Sequence, residues 1–217
     1  MAKNWQHLVE TAPTRTYQRK TKRKTNLLAR YVPKKVFDGG TPPTYLHASG
    51  NLNRCNPEGV ECIYFAEGPE TARAEFDSYY KNPLAELGYY ARVGLRAILD
   101  FQEPATFSHF GIFSNDFSRS IAPKTGALIP QQTVGHAVSR QRRITAIRYP
   151  SNAMRKLGKS GINIVLFHNL ITAPDFLEIM EHNRVLERWP ASQPSSKNGY
   201  SIPVGDGMSF QSSDSRF

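Results

Sequence analysis

The chain has 217 residues, 39% hydrophobic and 11% aromatic, with a formal net charge of +10. That apolar content can build one generous domain with a real core, which excludes wholesale disorder, and no run approaches the roughly 18 apolar residues of a membrane span. The positive balance favours a polyanionic partner: nucleic acid, a dinucleotide or an acidic protein.

Residues 1–25 read as an irregular basic lead-in, and the run at 19–24 as a solvated arm. No apolar core of the kind a secretory signal needs is visible there, and a cytoplasmic protein is expected, in the producing cell or in a target cell if it is delivered as an effector. A short apolar segment at 27–32, interrupted by Arg30, predicts a first strand, and the Gly/Pro cluster at 38–43 a turn. Residues 60–66 (VECIYFA), bounded by Gly59 and Gly68, predict the clearest strand. Its alternation puts Val60, Cys62, Tyr64 and Ala66 on one face, with Ile63 and Phe65 on the other.

Gly68-Pro69-Glu70-Thr71 is a helix-start signal, with proline in the first turn and an acid at the positive end. The helix should run from 69 to about 81, before Asn82-Pro83. A strand is predicted at 89–100, then a long excursion over 101–131 with one or two short helical turns. A helix at 133–142 and strands at 144–149 and 162–167 follow. The order suggests an α+β fold rather than a regular βαβ array. From Ala191 the Ser/Pro/Gly-rich composition predicts a flexible tail.

Glu75 is the most informative residue. On the predicted helix its neighbours are Thr71, Ala72, Phe76 and Tyr79, an apolar stripe that turns the carboxylate toward the sheet. Acids are rarely buried unless paired or at a working site. Arg54 lies in the turn before the strong strand, where a guanidinium can meet phosphate oxygens bidentately. Tyr64 is mid-strand and by default a packing residue, and Ser151 follows Pro150 at a strand end, where turn chemistry is the default. The two cysteines, Cys55 and Cys62, make neither a disulfide framework nor a zinc spacing and are expected as reduced thiols. No metal is expected.

The order and spacing of these residues carry more than any one of them. Asn53-Arg54-Cys55-Asn56-Pro57-Glu58-Gly59, then Ile63 through Ala72, then Ala74-Glu75, form one block. Arg148-Tyr149-Pro150-Ser151 followed by Gly161 through Phe167 forms a second, and Ala29-Arg30-Tyr31 a shorter third. Together they resemble the RES domain family over roughly residues 27–185. One departure is Asn53-Arg54-Cys55, where the family often has glycine before the arginine and an aromatic after it.

The resemblance implies a compact ADP-ribosyltransferase-like split β-sheet core with flanking helices. It places a catalytic domain at 26–190, between the lead-in at 1–25 and the tail at 191–217. It also implies a toxin that consumes NAD⁺, cleaving the nicotinamide–ribose bond by phosphorolysis or hydrolysis, or transferring ADP-ribose to a protein. NAD⁺ would be substrate, with inorganic phosphate as a candidate co-substrate and no cofactor. The catalytic residues implied are Glu75, Arg54, Ser151 and Arg30, and the substrate-binding residues Tyr64, Tyr31, Arg54 and Arg30. Arg30 and Arg54 would meet the pyrophosphate or a phosphate; Tyr64 would stack on nicotinamide or the ribose, with Tyr31 a second aromatic wall. Glu75 would hold the ribose hydroxyls and support developing positive charge. Ser151 would bind the ribose or position a phosphate or Arg30. An inhibitory antitoxin or immunity protein is the expected partner.

A different class, a basic nucleic-acid-binding protein or ribonuclease toxin, is suggested by the charge. It lacks support from the six histidines, which show no motif spacing, although His168 after the 162–167 strand could approach a site.

Overall fold

The computed structural model describes residues 3–19, 27–35, 48, 50–80, 85–118, 127–181 and 184–190. The turn cluster expected at 38–43, His47, His182 and the tail at 191–217 lie outside them. The fold is α+β, as expected. In chain order the elements are α1 (Trp5–Thr11), β1 (Arg15–Arg19), β2 (Leu28–Pro33), β3 (Ile63–Glu67), α2 (Pro69–Tyr79) and β4 (Glu86–Asp100). Then come α3 (Pro104–Phe110), a 3₁₀ turn (Ser114–Ser118), α4 (Pro130–Ser139), β5 (Ala146–Pro150), α5 (Asn152–Lys156) and β6 (Ile162–Leu166). A second 3₁₀ turn (His168–Leu170), β7 (Phe176–Glu181) and β8 (Arg184–Trp189) close the order.

All eight strands join one mixed sheet organised by β4. Tyr90 and Ala91 pair with both β2 and β7, so these two strands take opposite edges of β4. Farther along, β1 follows β2 on one edge and a parallel β5 follows β7 on the other. The remaining pairings, β2 with β3, β3 with β6 and β6 with β5, close a five-stranded ring.

That ring has a fork. Strands β2 and β3 pair only through Leu28 with Glu67 and Ala29 with Ala66. Beyond those residues β2 stays with β4 through Pro33 opposite Glu86, while β3 stays with β6 back to Ile63 opposite Leu166. The sheet is therefore split, and Arg30 is the first residue of β2 past the fork.

Period-2 alternation builds two cores, one on each face. Ile63, Phe65, Ile164 and Leu166 bury into a cluster with Leu95, Ile98, Leu177 and Ile179. Cys62, Ile147, Val165 and Phe167 bury instead with the aromatic set Phe101, Phe110 and Phe117 and with Val134 and Val138 of α4, and Tyr64 packs against them. The two faces expected for the 60–66 segment are thus both in place.

Three differences from the sequence expectations have local causes. Pairing of β3 starts at Ile63, because Val60 is still bound into the preceding turn, with Asn56 Nδ2 donating to its carbonyl at 3.0 Å. Helix α4 starts at Pro130, three residues earlier than expected, because Gln132 folds back to accept the Ile129 N–H at 3.1 Å. The irregular lead-in is corrected most. Residues 5–11 form a helix that buries Val9 against α4, and residues 15–19 a strand that buries Tyr17. Arg143 fastens this segment by donating to the carbonyls of Val9 and Ala12, each at 3.0 Å. Its basic composition masks its function as the neighbour that the far half of β4 needs.

A buried ion network crosses the sheet beside β1. Arg148 donates to both Glu67 oxygens at 2.7 and 3.1 Å and to Asp100 at 2.9 Å, while Arg15 reaches Asp100 at 2.9 Å. Burial pulls the Arg148 pKa down, but Glu67 and Asp100 outweigh it and hold the guanidinium above its ordinary range.

Candidate active site

The fork between β2 and β3 opens into a cavity of about 720 Å³, within the roughly 300–1,000 Å³ typical of ligand sites. Its lining includes Arg30 and Tyr31 from β2, Tyr64 from β3, Glu75, Phe76, Tyr79 and Tyr80 from the end of α2 and just past it, Arg54 from the preceding turn, and Asn163 from β6. Lys156 of α5 stands on the same wall as Asn152 and Ala153. Among the described residues the lining holds three basic side chains, Arg30, Arg54 and Lys156, and one carboxylate, Glu75.

Glu75 is presented by a helix whose start is set by Gly68. That residue takes φ 99°, a backbone region open mainly to glycine, and turns the chain from β3 into α2. The carboxylate is half-buried and oriented through one oxygen. Oε1 accepts from Ser151 Oγ at 2.6 Å and from Asn163 Nδ2 at 2.6 Å. Among the described residues, Oε2 has no hydrogen-bond partner. Two short bonds to one oxygen leave the other as the carboxylate's remaining acceptor.

Ser151 is buried and sits behind Glu75, outside the cavity lining. It caps α5, accepting from the Met154 N–H at 3.1 Å while its own proton goes to Glu75. The resemblance implied a ribose, a phosphate or Arg30 at this hydroxyl; among the described residues its partners are Glu75 and the Met154 N–H. Asn163 was not among the residues singled out from sequence, although a lone amide within the apolar run INIVLF was the available signal.

The Arg54 turn is held from three sides. Asn53 Oδ1 accepts from the Arg54 N–H at 2.7 Å and from the Tyr79 hydroxyl of α2 at 3.2 Å. Gln132 of α4 donates to the Asn53 carbonyl at 2.9 Å. The Tyr64 hydroxyl donates to Asn56 Oδ1 at 2.7 Å and accepts from the Cys55 N–H at 2.9 Å. Helix α4 also abuts the turn so closely that a Cβ on Gly135 would lie 1.6 Å from the Cys55 carbonyl oxygen. The departure Asn53-Arg54-Cys55 thus belongs to a built turn, with both asparagine side chains inside it.

Tyr64 and Tyr31, expected as aromatic walls, line the cavity but are already engaged. The hydroxyl of Tyr64 is committed to the turn, and burial pushes its pKa well up. The Tyr31 ring lies over Gly88, 6.1 Å from the Phe76 ring and beneath the Arg73 guanidinium. Arg30 sits at the fork opposite Tyr89 of β4, where burial raises the Tyr89 pKa and the Arg30 charge works against it. Burial raises the pKa of both cysteines, to about 12 for Cys62, so neither thiol is poised as a nucleophile. Among the described residues no histidine lines the cavity, and His168 packs instead against Trp189, ring centroids 5.4 Å apart.

No curated protein matches the chain. Among solved structures, a chain of the M. tuberculosis MbcT–MbcA toxin–antitoxin complex superposes with a TM-score of 0.57 at 16% identity, covering 83% of this chain and 91% of that one. At that identity the likeness concerns the fold. The RES domain model matches residues 28–190, the whole span from the fork to the end of β8. The chain therefore belongs to the RES domain family.

Proposed function

We propose that the cavity at the fork binds NAD⁺ and that the protein is a toxin that cleaves the nicotinamide–ribose bond. The observation that carries this reading is Glu75, the single carboxylate among the described lining residues, fixed through Oε1 and opposed by cations. A dinucleotide presents a diphosphate for the cations and a ribose diol, next to the scissile bond, for a carboxylate.

The nicotinamide is already a cationic leaving group and departs with the bonding electron pair, so no strong nucleophile is needed. Catalysis rests on clamping the dinucleotide and stabilising the oxocarbenium-like transition state with negative charge. Arg54 and Arg30 would hold the diphosphate, or one of them an attacking phosphate. Glu75 Oε2 would accept from the ribose hydroxyls while its charge supports C1′. Ser151 and Asn163 keep that oxygen in place, and Tyr64 keeps the Arg54 turn in place. Attack on C1′ by water then gives ADP-ribose, and attack by phosphate gives ADP-ribose-1″-phosphate. A partner of the kind named in the neighbouring toxin–antitoxin complex would keep the activity in check.

The test is incubation of the purified protein with NAD⁺, with and without phosphate, with nicotinamide and the second product quantified. Nicotinamide release is expected, and the second product identifies the route. Intact NAD⁺ under both conditions, with folded protein, would refute the proposal. Glu75→Gln should lose at least about a hundredfold in kcat, the scale of removing one transition-state charge contact, with its thermal transition retained.

A further inference from the structure

The cavity's aromatic residues are not equivalent. The Tyr149 ring is buried and stacked on Phe117 at 5.3 Å, Tyr80 packs on Phe76 at 5.0 Å, and Tyr31 and Tyr64 are engaged as described above. Tyr79 lines the same cavity, yet it is 54% exposed. Among the described residues its ring has no aromatic or cationic partner. It lies one helical turn beyond Glu75, the i,i+4 spacing that brings side chains to about 5–6 Å between Cβ atoms. Its hydroxyl donates to Asn53 Oδ1, beside Arg54.

We infer that Tyr79 is a substrate-binding residue: its ring is the face on which the nicotinamide packs next to Glu75, and its hydroxyl ties α2 to the Arg54 turn. This rests on the NAD⁺ reading above. An exposed aromatic face with a fixed polar end suits a flat cationic ring, because the electron-rich face of tyrosine attracts positive charge. Since nicotinamide loses its positive charge when it leaves, the same ring holds substrate more tightly than product. Sequence reasoning assigns Tyr79 to the apolar stripe of α2. The structure separates it from that stripe, since Thr71, Ala72 and Phe76 are buried and Tyr79 is not.

The experiment measures NAD⁺ affinity in the Glu75→Gln background, where turnover does not interfere, and KM in the otherwise native protein. Tyr79→Phe should keep the Kd within about threefold, and Tyr79→Leu should weaken it about tenfold, the lower end of base–aromatic stacking. Tyr79→Trp should restore affinity, and its added fluorescence should be quenched by NAD⁺ much more than by ADP-ribose, which lacks the nicotinamide. A purely structural Tyr79 would not produce that quenching. Unchanged affinity in Tyr79→Leu, or equal quenching by NAD⁺ and ADP-ribose, would overturn the inference while nicotinamide release still upholds the NAD⁺ reading. Absence of both NAD⁺ binding and nicotinamide release with Tyr79 intact would overturn that reading, and the inference with it.

Discussion

At Glu75 the arrangement of donors matters more than their number. Ser151 and Asn163 both address Oε1, so removing either lets the carboxylate rotate without removing its charge. Hydrogen bonds to a charged group contribute about 1.5–3 kcal/mol, which corresponds to roughly tenfold to a hundredfold in rate. Ser151→Ala and Asn163→Ala should each lower kcat by that range with KM changed less than about threefold, in a steady-state nicotinamide assay. Because they share one acceptor, the double variant should lose less than the product of the two single losses. A fully multiplicative loss would show that each acts elsewhere. Glu75 itself was legible in sequence, because helix spacing alone turned it inward. Its clamp was not, since Asn163 and Ser151 lie 88 and 76 residues away and meet it only through the β3–β6–β5 pairings.

Among elements, the 53–56 turn and α4 behave as one unit. Arg54 was recognisable from a motif of adjacent residues, and β3, α2 and β4 from periodicity and the glycine and proline boundaries. The dependence of the turn on α4 was not recognisable, because Gln132 and Gly135 are about eighty residues away and look like ordinary helix residues. Gly135 has no Cβ to push against the Cys55 carbonyl. Gly135→Ala must separate helix and turn, and overpacking of this kind costs about 1–3 kcal/mol. The expected result is a lower Tm together with a KM for NAD⁺ raised at least about threefold, because Arg54 moves with the turn. A Tm and KM both equal to those of the native protein would show that the two elements are not coupled.

The molecule as a whole depends on residues that precede the family match. Segment 3–19 supplies Val9 and Ala12 to one core, Tyr17 to the other and Arg15 to the buried ion network. A chain beginning at residue 20 would expose the edge of β4 from Val93 to Ile98 and leave Asp100 one partner short. It should show no cooperative thermal transition by circular dichroism and should aggregate. A sharp transition at the native Tm would mean that the segment is dispensable. The basic run hid this in sequence, since charge on an edge strand and charge on a solvated arm look alike until the long β4 shows which edge needs a neighbour.

The fork has a consequence in time as well as in space. Arg30, Arg54 and Glu75 all leave the ribosome well before Ser151 and Asn163, and the ring that aligns them closes only when β5 and β6 insert between β4 and β3. Pairings across such separations belong to the slow end of folding, milliseconds to seconds. The growing chain therefore carries the Glu75 carboxylate unoriented while the 88 residues from Glu75 to Asn163 are made, and any catalytic competence arrives late and all at once.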